Sequence, residues 1–333
     1  MRTEVTHFLD TEGKGILTAA EARRQGWSAD VIRTLRRQGV IVRIARGTYV
    51  SAARLHPEAA EVRRLGKETV AERTHLLLLD ALLRSHSRKV AASHQSASLA
   101  WGLPVPSAAL ERVHLCHTAS GRTARRHDLY SLHTNELPDV VVRHEGRLVV
   151  AAPLAVIGTA ITSGLVAGVV AMDAALQTGL TTREDVTELL DRMRFTPHLT
   201  VARAALERAD GLAESPKETE LRLLLVRLGL TVVAQFWIRT SNGRHYRVDF
   251  YLPQLGVVVE YDGRVKYAGG SGAQALTAEK AREDDLRLDG FGVGRVRAEQ
   301  LNLRDLTRIV HAAARQSQPQ AVRRSPEPPA WAA

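Results

Sequence analysis

Four carboxylates in the C-terminal third of the chain have residue types and spacing suited to holding a divalent cation: Glu218, Asp249, Glu260 and Asp262. Three of them lie in HYRVDFYLPQLGVVVEYDG, where two strand-like runs, 247–252 and 257–262, flank Pro253-Gln254-Leu255-Gly256. A hairpin with that four-residue loop sets Leu252 against Val257 and Asp249 against Glu260. Strand side chains alternate between faces. One face therefore takes Val248, Phe250, Leu252, Val257, Val259 and Tyr261, and the other takes Arg247, Asp249, Tyr251, Val258, Glu260 and Asp262. Like charges directly opposite on paired strands repel. A cation such as Mg²⁺, bound by carboxylates, water and a substrate phosphate, removes that penalty. A solvated face on which Arg247 opposes Asp262 is the ordinary alternative, and the pattern by itself does not choose between them.

Glu218 has a second explanation. In SPKETELRLLLVRLGL, Ser215 is an N-cap, Pro216 fits the first helical position, and Glu218 stands three residues after the cap. Leu221, Leu224, Leu225 and Leu228 supply the apolar stripe of that helix. A strand, TVVAQFWI, and a turn at Ser241-Asn242-Gly243 lead into the hairpin. After it comes a helix over about Ala275–Asp289, rich in charge, and a last strand, GVGRVRA. Within the helix, Glu279 can pair with Arg282 as an ordinary surface contact, and Arg282 and Arg287 can clamp phosphate. Lys280 and Arg282 are the best placed to meet a nucleic acid. Gly269-Gly270-Ser271-Gly272 lacks the Gly-Lys-Ser/Thr of a P-loop and reads as a mobile loop beside the site.

The segments SPKETELR, RVDFYLPQLGVVVEYDGRVKY and EKAREDDLRLDGFGVGRV resemble the PD-(D/E)XK nuclease superfamily, and within it the very-short-patch-repair-like endonuclease domains. The resemblance covers roughly residues 212–312. It implies a restriction-endonuclease-like mixed sheet flanked by helices. It also implies metal ligands at Asp249 and Glu260, an added carboxylate at Asp262, and a Glu218 that orients the metal or its water. The commonest pattern has lysine two residues after the Glu, where Asp262 stands here. Lys266, four residues further on, is the replacement candidate for the catalytic cation. The implied activity is hydrolysis of DNA phosphodiesters with Mg²⁺ or Mn²⁺. The alternative is a degenerate nuclease domain in a non-catalytic autoregulator.

At the other end of the chain the chemistry is cationic. Thr18 can cap a short helix through Arg24, and Ser28 caps a second, SADVIRTLRRQG, which stops at Gly39. Val31, Ile32 and Leu35 form its apolar face, and Arg33, Arg36 and Arg37 its basic one. Two strand-like runs, VIVRIA and GTYV, turn at Arg46-Gly47. That is the plan of a winged helix, with the second helix in the major groove and the hairpin, carrying Arg43 and Arg46, on the DNA backbone. The pattern LTAAEARRQGWSADVIRTLRRQGVIVRIARGTYV resembles the N-terminal domain of AbiEi-type antitoxins of type IV toxin–antitoxin systems. The resemblance implies DNA as a partner and a possible partner toxin.

Between these ends, TVAERTHLLLLDALLRS has the pattern of an amphipathic helix, and DVVVRHEGRLVVAA reads as strands leading into apolar helices. ASHQSASLAWGLPVP resembles the middle domain that follows the winged helix in actinobacterial antitoxin-like proteins. His94, His117 and His127 lack metal-ligand spacing and read as structural or surface residues, so this region is assigned no chemistry.

Composition sets the outer bounds. A chain of 333 residues with 44% hydrophobic content can build two or three domains, here a multi-domain α/β (α+β) protein. The expected division is a winged helix over 1–55, an α/β middle domain over 70–200, the nuclease-like domain over 212–315, and a disordered tail over 316–333. A net charge of +10, with 46 Lys and Arg against 36 Asp and Glu, suits a polyanionic partner. The single cysteine, Cys116, excludes an internal disulfide and a Cys-based zinc site, which favours a reducing cytoplasm. The charge-free run 148–172 is long enough to span a bilayer. It is interrupted by Pro153, Gly158, Gly164 and Gly168, and lacks flanking cation clusters and aromatic anchors, so buried helices are expected instead.

Overall fold

The computed structural model describes residues 2–86, 89–193, 196–263 and 272–318. Among the described residues it is a mixed α/β structure with 14 α-helices and three sheets. The chain divides into two compact units, 1–209 and 210–333.

The first unit begins with α1 (Arg2–Asp10), β1 (Ile16–Thr18), α2 (Ala19–Arg24), α3 (Ala29–Arg37), β2 (Ile41–Ala45) and β3 (Thr48–Ser51). Both predicted caps are present. Thr18 Oγ1 accepts from Glu21 N at 3.2 Å, and the Glu21 carboxylate accepts from Thr18 N at 2.7 Å. Ser28 Oγ accepts from Val31 N. These bonds satisfy amides that a helix start leaves open. Gly47, at φ +70, makes the tight turn between β2 and β3. Ile32 and Leu35 of α3 pack with Val5, Phe8 and Leu9 of α1, so the basic face of α3 is turned outward. Two elements were not anticipated. One is α1. The other is β1, which completes a sheet of order β1-β3-β2 through Ile16↔Val50.

After the short helices α4 (Ala52–Leu55) and α5 (Ala59–Leu65) comes the long helix α6 (Lys67–Ser85). It has two apolar faces. Leu77 and Ala81 pack with Ile16 and Val50 of the winged-helix sheet. Leu79 and Leu82 pack on the sheet that follows. That sheet holds β4 (Val90–Ala92), β5 (Val113–His117), β6 (Arg125–Arg126), β7 (Tyr130–His133), β8 (Val141–His144) and β9 (Arg147–Val150), in the order β6-β7-β5-β4-β9-β8. Helix α7 (His94–Ala100) follows β4. Helices α8 (Ala152–Ser163), α9 (Leu165–Gln177), α10 (Arg183–Arg192) and α11 (Leu199–Arg208) complete the unit. The charge-free run thus becomes the end of β9 and two buried helices of 12 and 13 residues, broken at Gly164. No described helix is long and apolar enough to cross a membrane.

The second unit contains α12 (Pro216–Arg227), β10 (Val233–Arg239), β11 (His245–Leu252), β12 (Val257–Tyr261), α13 (Gly272–Leu288), β13 (Gly292–Val296) and α14 (Leu303–Ala314). Its sheet runs β10-β11-β12-β13, antiparallel except for the parallel pair β12–β13. The predicted hairpin register is present, with Leu252↔Val257, Tyr251↔Val258 and Phe250↔Val259. Both faces are covered. Phe250, Leu252, Val257 and Val259 meet Leu221 and Leu225 of α12 and Leu306 and Val310 of α14. Tyr251 and Val258 meet Leu286 of α13 together with Phe291 and Val293.

Two expectations about the hairpin faces need correction. The face carrying the carboxylates is not a solvated strip, because Tyr251 and Val258 on it are buried in a second core. Val248 also belongs to that second core, with Phe236, while Phe250 and Ala234 belong to the first. The strand pair therefore exchanges its faces between Val248 and Phe250. Gln235, opposite Asp249 at this step, sits at φ +51, and the β10–β11 pairing skips it while the register on either side stays the same. Simple alternation fails where one residue leaves the extended conformation. Lys266, the first three residues of the expected loop 269–272 and the tail from residue 319 lie outside the described residues, while Gly272 opens α13.

Candidate nucleic-acid interface and acidic site

The N-terminal surface is built on α3 and the β2–β3 hairpin. Ile32 and Leu35 anchor α3, and the helical period then sends Arg33, Arg36 and Arg37 outward, all exposed. Arg43 on β2 and Arg46 at the turn are exposed as well. Arg33 pairs with Asp30 at 2.6 Å, with both side chains mostly in solvent. A pair that exposed is worth little and yields readily to another anion. Arg36, Arg37 and Arg46 have no ion pair among the described residues.

The acidic site lies at the end of the β11–β12 ladder. Asp249 and Glu260 follow directly on the pair Phe250↔Val259. The Asp249 carboxylate accepts the Tyr261 amide at 2.8 Å. Glu260 accepts from Arg282, whose same nitrogen donates to the Arg247 carbonyl at 2.7 Å. On the neighbouring strand Arg295 stands beside Glu260 in register and is itself held by Glu279 and Glu283. Burial pushes the Asp249 carboxyl up to about 6, against the Tyr261 amide and with the Glu260 charge adding to the rise. Burial also raises Glu260, while Arg282 and Arg295 pull it back.

Glu218 is buried on α12, 9% exposed. It serves the cap: its carboxylate accepts from Glu214 N and from Ser215 Oγ, both at 2.9 Å. It is close enough to Asp249 for that charge to add to a rise caused first by burial. Gln235 Nε2 reaches it at 3.4 Å. Asp262 faces Arg297 at 3.6 Å, and Arg247 pairs with Glu214. The expected Arg247–Asp262 compensation is therefore replaced, since each finds a partner from another segment.

Other assignments on α13 also change. Arg282 pairs with Glu260 rather than Glu279, and Arg287 pairs with Glu283 at 2.7 Å, which occupies it as a surface contact. Lys280 is exposed.

These partners bear on whether the site suits a divalent cation. Among the described residues, no three of the carboxylates bring their oxygens within 4.8 Å of one another. Glu260 is held by a guanidinium, Asp249 by an amide, and Glu218 by its cap. As arranged, protein donors already compensate the charge of these carboxylates, so a shared Mg²⁺ or Mn²⁺ would have to displace them. Sequence reasoning missed Gln235, Arg295 and Glu214 as members of this site. Of these, only Arg295 carried a signal, as a lone cation inside an apolar strand.

Residues 8–52 match the family described as transcriptional regulator, AbiEi antitoxin. Two proteins of Mycobacterium tuberculosis, uncharacterized protein MT2308 of strain CDC 1551 and uncharacterized protein Rv2248 of strain H37Rv, are 33% identical to this chain over 99 residues. The aligned stretch is 29% of this chain and 36% of each relative, so the chain spans about a third of the length of the curated relatives it matches.

Proposed function

We propose that this protein binds DNA through α3 and the β2–β3 hairpin and acts as a transcriptional regulator. The observation that carries the reading is the outward row Arg33, Arg36 and Arg37 on a helix whose other face is locked by Ile32 and Leu35. A helix held so rigidly, beside a basic wing, is suited to a major groove with phosphates on either side. The match of residues 8–52 to AbiEi antitoxin regulators supports the same reading and adds a partner toxin encoded nearby as a finer proposal. A cytoplasmic location belongs to this reading.

The test is a gel-shift titration of the full chain on its own promoter DNA. The double variant Arg33→Ala plus Arg36→Ala is expected to lose binding that Asp249→Ala keeps. Unchanged binding in the arginine variant would remove α3 from the interface.

A second reading, DNA phosphodiester hydrolysis in the second unit, draws on one observation. Asp249 and Glu260 are carboxylates placed side by side, both held above their usual range by burial. It requires Arg282 to leave Glu260 when substrate and metal arrive. Among the described residues, Lys280 and Arg282 are then cations available to the phosphate. Incubation of supercoiled and linear DNA with Mg²⁺ or Mn²⁺ tests it. Cleavage lost in Asp249→Ala supports the reading, and absence of any metal-dependent product excludes it.

A further inference from the structure

Away from both sites, three histidines from different segments meet inside the first unit. His94 opens α7, His114 lies on β5, and His133 ends the adjacent strand β7. One ring nitrogen from each lies within 4.8 Å of the other two. His114 Nδ1 and His133 Nε2 are 2.9 Å apart, and the His94 and His133 rings stack at 4.0 Å.

The surroundings hold this cluster in place. Ser96 Oγ accepts the His114 amide at 2.8 Å and is itself bonded to buried His75 at 2.8 Å. Ser93 Oγ lies 3.0 Å from His94 Nδ1. His94 adopts φ +51, in the left-handed region that costs a side-chain-bearing residue energy. Helix α8 crosses so close that a Cβ on Gly158 would stand 2.8 Å from His94 Cα and 2.9 Å from its Cγ. Glycine there leaves room for the ring. A cavity of about 260 Å³, lined by His94, His133, Ser93, Asn135 and Thr162 among others, opens beside the cluster.

Burial and mutual repulsion keep all three rings neutral, with His114 lowered to about 3. A neutral imidazole carries one N–H and one lone pair. The 2.9 Å contact between His114 Nδ1 and His133 Nε2 therefore places either a shared proton or a shared cation between the two rings. Two nitrogens on one metal ion with bonds of about 2.0–2.1 Å stand roughly 2.9–3.4 Å apart, which spans the observed separation.

We propose that His94, His114 and His133 together bind one divalent first-row transition-metal ion, with its open coordination position facing the cavity. Imidazole ligands suit Zn²⁺, Fe²⁺, Ni²⁺ and Cu²⁺ and not Mg²⁺, so this site is chemically separate from the carboxylates of the second unit. Three ligands with an open position are the arrangement that admits water or a small anion, whereas a closed structural site takes four.

The test uses the full chain, stripped with chelator and titrated with Zn²⁺ against a competing chromogenic chelator. One equivalent is expected in wild type and in Asp249→Asn, with at least a tenfold weaker site in His133→Gln and in Gly158→Ala. No stoichiometric binding in wild type, or unchanged affinity in folded His133→Gln, would overturn the proposal. If both variants fail to fold, X-ray absorption of the Zn²⁺-loaded wild type decides. An imidazole-nitrogen shell at about 2.0 Å supports the site, and a shell of oxygen or sulfur alone overturns it.

Discussion

The arginines of α3 and its wing and those around the acidic site are used in opposite ways. On α3 and its wing they point outward, and the one ion pair they make among the described residues, Arg33–Asp30, is solvated. In the second unit Arg247, Arg282 and Arg295 are each engaged by carboxylates of the same unit. The first arrangement leaves positive charge for an external polyanion. The second uses it to make buried carboxylates tolerable. Net charge alone does not distinguish these roles. Partnering within the fold does.

The sharpest way to break this contrast is to remove a consumed arginine. Arg282→Met leaves Glu260 buried without its guanidinium, and breaking a part-buried pair of this kind costs about 3 kcal/mol. Urea unfolding of the second unit should show that loss. The double variant with Glu260→Gln should recover most of it. An unchanged midpoint in the single variant would mean that Arg282 is not consumed after all.

Next in size is a pH effect. The Asp249 carboxyl keeps its proton to about pH 6 when folded but releases it near 3.8 when unfolded. Between those values the folded state binds more protons, so this group lowers stability as pH rises through the window, by on the order of 2 kcal/mol. The slope should flatten in Asp249→Asn, leaving what Glu218 and Glu260 contribute in the same direction. A wild-type profile flat across the window, or rising and identical in the variant, would contradict the burial of this carboxyl.

The smallest effect sharpens the other side of the comparison. Thr18→Ala removes the capping box that starts α2 and should cost about 1 kcal/mol in the first unit. Thermal melting checks it. DNA affinity should follow only through the folded fraction, because Thr18 positions the helix pair without touching phosphate.

Local chemistry was legible in the sequence, and long-range pairing was not. Thr18, Ser28 and Ser215 declared their helices because a cap is satisfied within three residues. The Leu252↔Val257 register followed from loop length. The face exchange at Asp249 did not, since it depends on a left-handed Gln235 on the neighbouring strand, 14 residues away in sequence. The partner of Arg247, Glu214, lies 33 residues away and outside any strand. The histidine cluster escaped for the same reason. His94 reads as structural in the sequence, and nothing along the chain links it to His114 and His133, because three separate segments bring them together.

The central claim is that the outward arginines of α3 meet DNA phosphates and bases. Its most direct test is the dependence of promoter-DNA affinity on salt for wild type and for the variant Arg33→Ala, Arg36→Ala, Arg37→Ala. Each lost phosphate contact flattens the plot of log affinity against log salt by about 0.9. The account predicts a slope shallower by about 2 to 3 and a large loss of affinity at low salt. Two parallel lines of equal height would contradict it.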